Sequence, residues 1–340
     1  MADTVDLAQE KDSKLRALWG DVRATLGCDP RFEATGLRLA KKDIEDLPTA
    51  FTTEGDEVPG FALIDARNKP FWFGDGGSHS APPVKVPGLE KPFYMARTLT
   101  TAAQYAQFVS SPSYASHFEG EGRQWLEGSY VGPASDEDAI NWLARRPKQK
   151  RNEPYEWKAQ LANHLRPIVH VSWFEAQAYV KWLDASLTEH GLDGYRASLP
   201  TELQWECAAR YSVDLVPSQR PFPWRDGPAA DADWQDFADY ANLEELVGNP
   251  TTVGLYPNGR SETGLTDIAG NVWEWMGHSY VGKYDPCVDV GLQQATKYGS
   301  LRGCSWVTIP GFARCSFRRA YHPDGWNDSI GFRVVLSLAN

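Results

Sequence analysis

Gly264-Leu-Thr-Asp-Ile-Ala-Gly-Asn-Val-Trp-Glu-Trp275 is the stretch that decides how this chain is read. Leu301-Arg-Gly-Cys-Ser-Trp306 and Ile330-Gly-Phe-Arg-Val-Val335 follow it, and Ala197-Ser-Leu-Pro-Thr-Glu-Leu-Gln-Trp-Glu-Cys-Ala-Ala209 precedes it. From Pro223-Trp224 onward the chain is rich in Gly, Asn, Asp, Pro and Trp, the composition of short strands joined by long loops. Fourteen tryptophans are an unusual load for 340 residues. Loop-rich folds use the large apolar indole to cement sparse secondary structure, and Trp273 and Trp275, set within an apolar motif, are read as such cement.

Upstream, Ser172 and Glu175 form an S-x-x-E capping box ahead of Trp173, Ala176, Tyr179, Val180 and Leu183, spaced three or four apart; this predicts a helix. Thr201 with Gln204 opens a second helix carrying Trp205, Ala208 and Ala209. Strands are expected within 61–73 and at 92–97, then a helix with Thr101 as cap and Ala103, Tyr105, Phe108 and Val109 buried. The intervening Gly74-Asp-Gly-Gly77 completes neither GxGxxG nor GxxxxGK[ST], so it is read as a turn and not a phosphate loop. Residues 118–167 are polar, aromatic-rich and irregular, the character of a long surface insertion. Its basic run, Arg145-Arg-Pro-Lys-Gln-Lys-Arg151, is read as a solvated loop. Leu15, Leu18, Val22 and Leu26 recur at helical spacing before Gly27, and 41–59 reads as a connector. The expected organisation is an N-terminal helical extension and connector over 1–59 and one main domain over 60–340.

Composition narrows the function classes. A formal net charge of -11 offers no basic footprint for nucleic acid or anionic lipid, so neither is expected as a partner. No apolar run reaches transmembrane length and the N-terminus lacks signal-peptide regions, so a cytoplasmic location is expected. Five scattered cysteines form no CxxC pair and are expected as reduced thiols. Gly76-Gly-Ser-His-Ser80 juxtaposes Ser and His but lacks the G-x-S-x-G elbow of a hydrolase.

Taken together, the four quoted segments resemble the formylglycine-generating-enzyme (sulfatase-modifying factor) domain, over residues 60–340. That resemblance implies an α+β architecture, the C-type lectin fold of the formylglycine-generating-enzyme subclass, loop-rich with short strands and two main helices. It also implies a structural calcium site carried by Asp267, Gly270, Val272 and Glu274, with carboxylate oxygens from the first and last and carbonyls from the middle two. An all-oxygen set suits calcium and not zinc. No organic cofactor is expected.

In the formylglycine-generating enzymes the resemblance implies a copper-assisted thiol oxidation by two cysteines five residues apart. Counted from Arg302, those positions hold Thr308 and Ala313. Cys304 and Cys315 are eleven apart and out of register. A second catalytic relative, the iron-dependent sulfoxide synthase of ergothioneine synthesis, carries an HxxxHxE motif, and this sequence has none. The expectation is a protein that is not an enzyme.

The C-terminus omits four residue types. Lys, Glu, Gln and Met make up 48 of the 340 residues, so about six are expected by proportion among the last 43, yet residues 298–340 contain none. Every amino acid at the candidate loop positions is reachable from an Asn codon by changing its two adenines. Those positions are Val307, Thr308, Ile309, Gly311, Ala313, Cys315, Arg319, Tyr321, His322, Asp324, Gly325, Asn327 and Ser329. Adenine-restricted scatter on this scaffold resembles the variable protein of a diversity-generating retroelement, in which rewritten side chains form a solvent-exposed binding surface. Trp306, Pro310, Phe312, Phe317, Pro323 and Trp326 would then be the fixed frame.

The expected function is therefore non-catalytic binding of a ligand, a protein by preference, through a diversified variable region at 302–335. The alternatives are an ordinary unvaried binding domain of the same fold and the copper-dependent oxidase. Ligand identity, oligomeric state and the role of residues 1–59 are not encoded legibly.

Overall fold

The computed structural model describes residues 60–112, 153–189, 194–210, 220–229, 231–288 and 297–339, with isolated positions between 113 and 152. The helix expected at 12–26, the connector at 41–59 and the basic run beyond Arg145 lie outside the described residues.

The architecture is α+β, with short strands around one long helix. Strand β1 (Phe61–Ile64) pairs antiparallel with β4 (Phe93–Ala96), and the last strand, β10 (Val335–Leu338), lies between β4 and β5 (Tyr195–Ser198). β2 (Phe71–Phe73) and β3 (Val84–Val86) form a separate hairpin. A second four-stranded sheet has the order β8 (Arg319–Tyr321), β7 (Gly299–Arg302), β6 (Trp273–Ser279), β9 (Ile330–Gly331), with only the β6–β9 pair parallel.

The capping chemistry read from sequence operates as written. Thr101 caps α1 (Ala102–Val109), its hydroxyl accepting from Gln104 N–H while the Gln104 side chain accepts from Thr101 N–H. Ser172 and Glu175 make the reciprocal pair that opens α3 (Trp173–Glu189), and Thr201 with Gln204 opens α4 (Glu202–Arg210). Each box satisfies two backbone donors that the first helical turn leaves without partners.

The five apolar residues expected to be buried on α3 are all buried. Its start is locked to β6 by two reciprocal indole bonds: Trp173 Nε1 donates to Met276 O at 2.9 Å, and Trp275 Nε1 donates to Val171 O at 3.0 Å. The reading of Trp275 as cement is thereby given its partners.

Of the expected insertion at 118–167, the continuously described part packs onto the core. Residues 153–167 contain the short helix α2 (Trp157–Ala162), and Trp157 and Leu165 are core residues. Ala102 N–H donates to Arg166 O and Ile168 N–H to Thr100 O, stitching the segment to the start of α1. Two apolar anchors among polar residues give no periodicity to detect.

Beneath the second sheet lies a layer of buried charge. Arg302 pairs with Glu206, which also pairs with Arg210, while Arg318 holds Glu202 through Nε (2.5 Å) and Nη2 (2.7 Å). Arg302 Nη1 additionally donates to Ser316 O and Phe317 O, both at 3.0 Å. His278 Nε2 accepts from Glu202 N–H while Nδ1 faces Ser279 O, which assigns the neutral Nδ1–H tautomer. Gly74 N–H also donates to Glu206, so the glycine turn after β2 is a structural contact with this layer.

Burial alone would raise the Glu202 carboxyl, but Arg318 outweighs it and lowers the value from 4.5 to about 2. A depressed carboxyl contributes stability that is complete above pH 4.5 and lost as pH falls toward 2. Urea unfolding at a series of pH values is therefore expected to show stability declining across that window. Glu202→Gln flattens the decline and, by stranding Arg318 in the core, costs about 3–5 kcal/mol at neutral pH.

Candidate ligand-binding face

The residues singled out at the C-terminus gather on one side of the second sheet and on the two loops beside it. Register places Trp275, Leu301 and Arg319 in a row across β6, β7 and β8, so their side chains share a face. Arg319 is exposed, with its guanidinium 5.5 Å from the Trp273 ring centroid and 5.8 Å from that of Tyr321. Such stacking fixes a long cation against rigid aromatic area.

The first loop, 303–317, is held from below. Trp306 N–H donates to Asn271 O at 2.9 Å, and Cys304 Sγ–H donates to Phe312 O at 2.9 Å. Gly303 has φ +87 and lies against Ile268 O, Trp205 and Glu274, a backbone path that favours a residue without Cβ. The second loop, 322–328, rests on the start of α3: Trp173 N–H donates to Pro323 O and His170 N–H to Asn327 O. Its Trp326 joins Tyr155 and His170 in one aromatic group, with centroids 4.9 Å from Tyr155 and 5.7 Å from His170. Burial lowers the His170 pKa, against Glu156, whose carboxylate lies 3.6 Å from Nε2. No sequence signal joins positions 155, 170 and 326, because only tertiary folding makes them neighbours.

Of the thirteen candidate positions, ten keep side-chain or backbone exposure: Val307, Thr308, Ile309, Gly311, Arg319, Tyr321, His322, Asp324, Gly325 and Asn327. Three are corrected. Ala313 is a core residue at 2 % exposure, Cys315 is fixed at 1 % by its N–H bond to Pro221 O, and Ser329 at 5 % accepts from Trp273 N–H beside β9. The expected frame also needs correction. Trp306, Pro310 and Phe317 are buried, but Phe312 and Trp326 are exposed at 39 % and 44 %. Phe312 turns outward between buried Pro310 and Ala313, and Trp326 turns outward from a loop held by its backbone bonds to Trp173 and His170.

The two carboxylates read as calcium ligands are engaged otherwise. Arg333 grips Glu274 through Nε to Oε2 (2.6 Å) and Nη2 to Oε1 (2.9 Å), so both carboxylate oxygens already face a cation. Asp267 accepts from Gly254 N–H at 2.7 Å and from the Asn271 amide at 3.3 Å. Burial pushes the Asp267 carboxyl up, opposed chiefly by that Gly254 bond. Gly270 is required for space, since a Cβ there would collide with Asn242 O, and Val272 is a core residue. The donor set does not fit a calcium ion, because the guanidinium supplies the charge that the metal would bring. Among the described residues, no group of three or more His, Cys, Asp or Glu side chains is placed to hold a metal.

The thiols are equally committed to structure. Cys304 and Cys315 are fully buried; burial pushes the first thiol up, and the second to about 12. The thiolate is the reactive form, so neither is a nucleophile near neutral pH. The described cysteines, Cys207, Cys287, Cys304 and Cys315, are unbridged. No described helix is long and apolar enough to cross a membrane.

The domain model described as "Sulfatase-modifying factor enzyme 1-like domain" matches residues 55–338. The chain belongs to this family. A hercynine oxygenase of Mycobacterium tuberculosis is 34% identical over 178 residues, 51% of this chain and 37% of that protein; the chain thus spans little more than a third of that relative's length. A formylglycine-generating enzyme of Streptomyces coelicolor is 29% identical over 82% of this chain and 87% of its own length. A mouse relative named inactive C-alpha-formylglycine-generating enzyme 2 is 29% identical over 82% and 84%. Among solved structures, PvdO from Pseudomonas aeruginosa superimposes with a TM-score of 0.55 at 21% identity, over 82% of this chain and 94% of that one. Treponema denticola variable protein 1 gives 0.50 at 19%, over 81% and 94%. These likenesses show the fold, the C-type lectin type expected from the motifs.

The relatives correct the expectation that the chain is not an enzyme. Proteins named as an oxygenase and as a formylglycine-generating enzyme place it in an enzymatic family, and the lack of thiols at Thr308 and Ala313 does not remove it. Any chemistry it performs proceeds without a cysteine at those two positions.

Melting in excess calcium and in excess chelator is expected to give the same midpoint, since Arg333 already satisfies Glu274. A rise on adding calcium alone would restore the metal reading. Arg333→Met, which strands Glu274 in the core, is expected to cost about 3–5 kcal/mol in either buffer.

Proposed function

We propose that this member of an enzymatic family takes its ligand, a protein by preference, at the C-terminal loop face, and that the exposed side chains there are the product of codon diversification. The observation that carries the reading is the division of labour along 303–329: exposed, interchangeable side chains alternate with residues locked into the core. Val307 and Ile309 are 42 % and 49 % exposed, on a loop whose Trp306 and Pro310 are buried. Loops tolerate replacement where close-packed cores do not, so a face built this way can change its chemistry without losing its fold. The mixture of small, polar and aromatic groups resembles that of an antibody paratope. The absence of Lys, Glu, Gln and Met from residues 298–340 supports the codon rule independently of exposure.

The reading is tested by exchanging Val307, Thr308, Ile309, Arg319, His322 and Asn327 for other members of the adenine-reachable set. Partner choice across a displayed protein library is expected to change, while stability stays within about 0.5 kcal/mol per exposed substitution. Ala313→Leu, at a position the same codon rule reaches but the core encloses, is expected to destabilise by about 1–3 kcal/mol through overpacking. Equal destabilisation at both kinds of position would overturn the reading. Because named relatives are enzymes, retained partners are also scored for chemical turnover. In the surrounding DNA, the reading requires a near-copy of codons 302–335 differing only where the copy has adenine, together with a reverse transcriptase gene.

A further inference from the structure

Two adjacent glutamates outside the diversified segment hold a conformation that the fold alone would give to glycine. Glu244 and Glu245 have φ of 51° and 56°, in the left-handed region where a Cβ is strained. Their backbone reason is clear: Glu244 N–H donates to Thr308 O at 3.0 Å and Glu245 N–H to Trp306 O at 2.6 Å, zipping loop 242–246 to loop 306–308. Their side-chain reason is not internal. Among the described residues no basic side chain pairs with either carboxylate, and Glu245 is exposed.

The loop to which the zipper ties the backbone of these two glutamates carries exposed apolar side chains. Val307, Ile309 and Phe312 are three of the large hydrophobic side chains left exposed, at 42 %, 49 % and 39 %. The ridge is rigid, anchored by buried Trp306 and Pro310 and by the Cys304 bond to Phe312 O. An apolar contact there would exclude water from the neighbouring carboxylates and so strengthen their attraction for a cation.

We propose that the ridge at 307–312 and the acidic shoulder of Glu244 and Glu245 together dock a polypeptide segment of another protein, one that sets apolar side chains beside lysine or arginine. This deepens the proposed binding face and rests on it. A second copy of this chain is the poorer occupant, because a two-fold contact would set each copy's glutamates near the other's. The formal net charge of -11 further steers cationic segments toward the chain.

The test uses the full-length protein and two fluorescent peptides, Gly-Lys-Leu-Ser-Phe-Lys-Gly and the same peptide with both lysines replaced by glutamate. Anisotropy is expected to show the lysine peptide binding about tenfold more tightly at low salt, with the preference shrinking as ionic strength rises. The double variant Glu244→Gln/Glu245→Gln is expected to bring the preference close to unity. Glu244→Gly/Glu245→Gly should do the same without lowering the melting temperature, which separates lost docking from lost folding. Equal binding of both peptides, binding of neither, or a concentration-dependent dimer that Val307→Asp disperses overturns the proposal. If Val307→Asp/Ile309→Asp abolishes binding of both peptides while the Gln variant changes nothing, the acidic shoulder is overturned and the loop face survives as the binding surface. Undiminished binding in Val307→Asp/Ile309→Asp removes the face itself.

Discussion

Charge without water is the constraint from which the rest of this fold follows. Glu202, Glu206, Glu274, Arg302, Arg318 and Arg333 are all at or near zero exposure. Ions removed from water are tolerated only where opposite charge and hydrogen bonds meet them in close geometry. Each carboxylate comes from α4 or β6, and each guanidinium from β7 or the chain after it. The C-terminal third therefore cannot leave α4 without stranding a charge, and segments 59 to 116 residues apart behave as one unit. The motif residues that mark the family by eye are in large part this frame: Glu274 of the Trp-Glu-Trp triplet, Arg302 of Leu-Arg-Gly and Arg333 of Gly-Phe-Arg.

A frame so constrained explains why its surface can be free. The second sheet presents ions to α4 on one side and aromatic residues on the other, since neighbours along a strand alternate faces. Trp273 and Trp275 lie on the aromatic side, Glu274 on the ionic side. Loops 303–317 and 322–328 are held by backbone bonds to Asn271, Trp173 and His170. None of those bonds depends on the identity of the side chain that the loop turns to solvent. Family motif and exposed surface are thus separable: the first resides in the buried pairs, the second in the loops.

The family's enzymatic relatives set the chemical context without supplying a mechanism here. The two thiols of the C-terminal motif region, Cys304 and Cys315, are spent on packing and on a bond to Phe312 O; of the motif carboxylates, Glu274 is spent on Arg333 and Asp267 on Gly254 N–H and Asn271. What the chain leaves at the surface instead is a stacked Arg319, the apolar Val307 and Ile309, and Glu245 with the half-buried Glu244.

The sequence by itself determined the local events. Capping boxes at Thr101, Ser172 and Thr201 lie within four residues, and the backbone donors they satisfy are the helix's own, so no distant partner was needed to read them. The quoted motifs determined the fold for a similar reason, because a chain that buries several ion pairs must carry their residues in a fixed order. Only the tertiary structure decided what the charged motif residues do and which loop positions face water. Glu274 reads equally as a metal ligand or a salt bridge until Arg333, 59 residues away, is seen against it. Ala313 and Ile309 obey the same codon rule, yet one lies in the core and the other in solvent. Burial depends on what packs overhead, and here that comes from parts of the chain far apart in sequence.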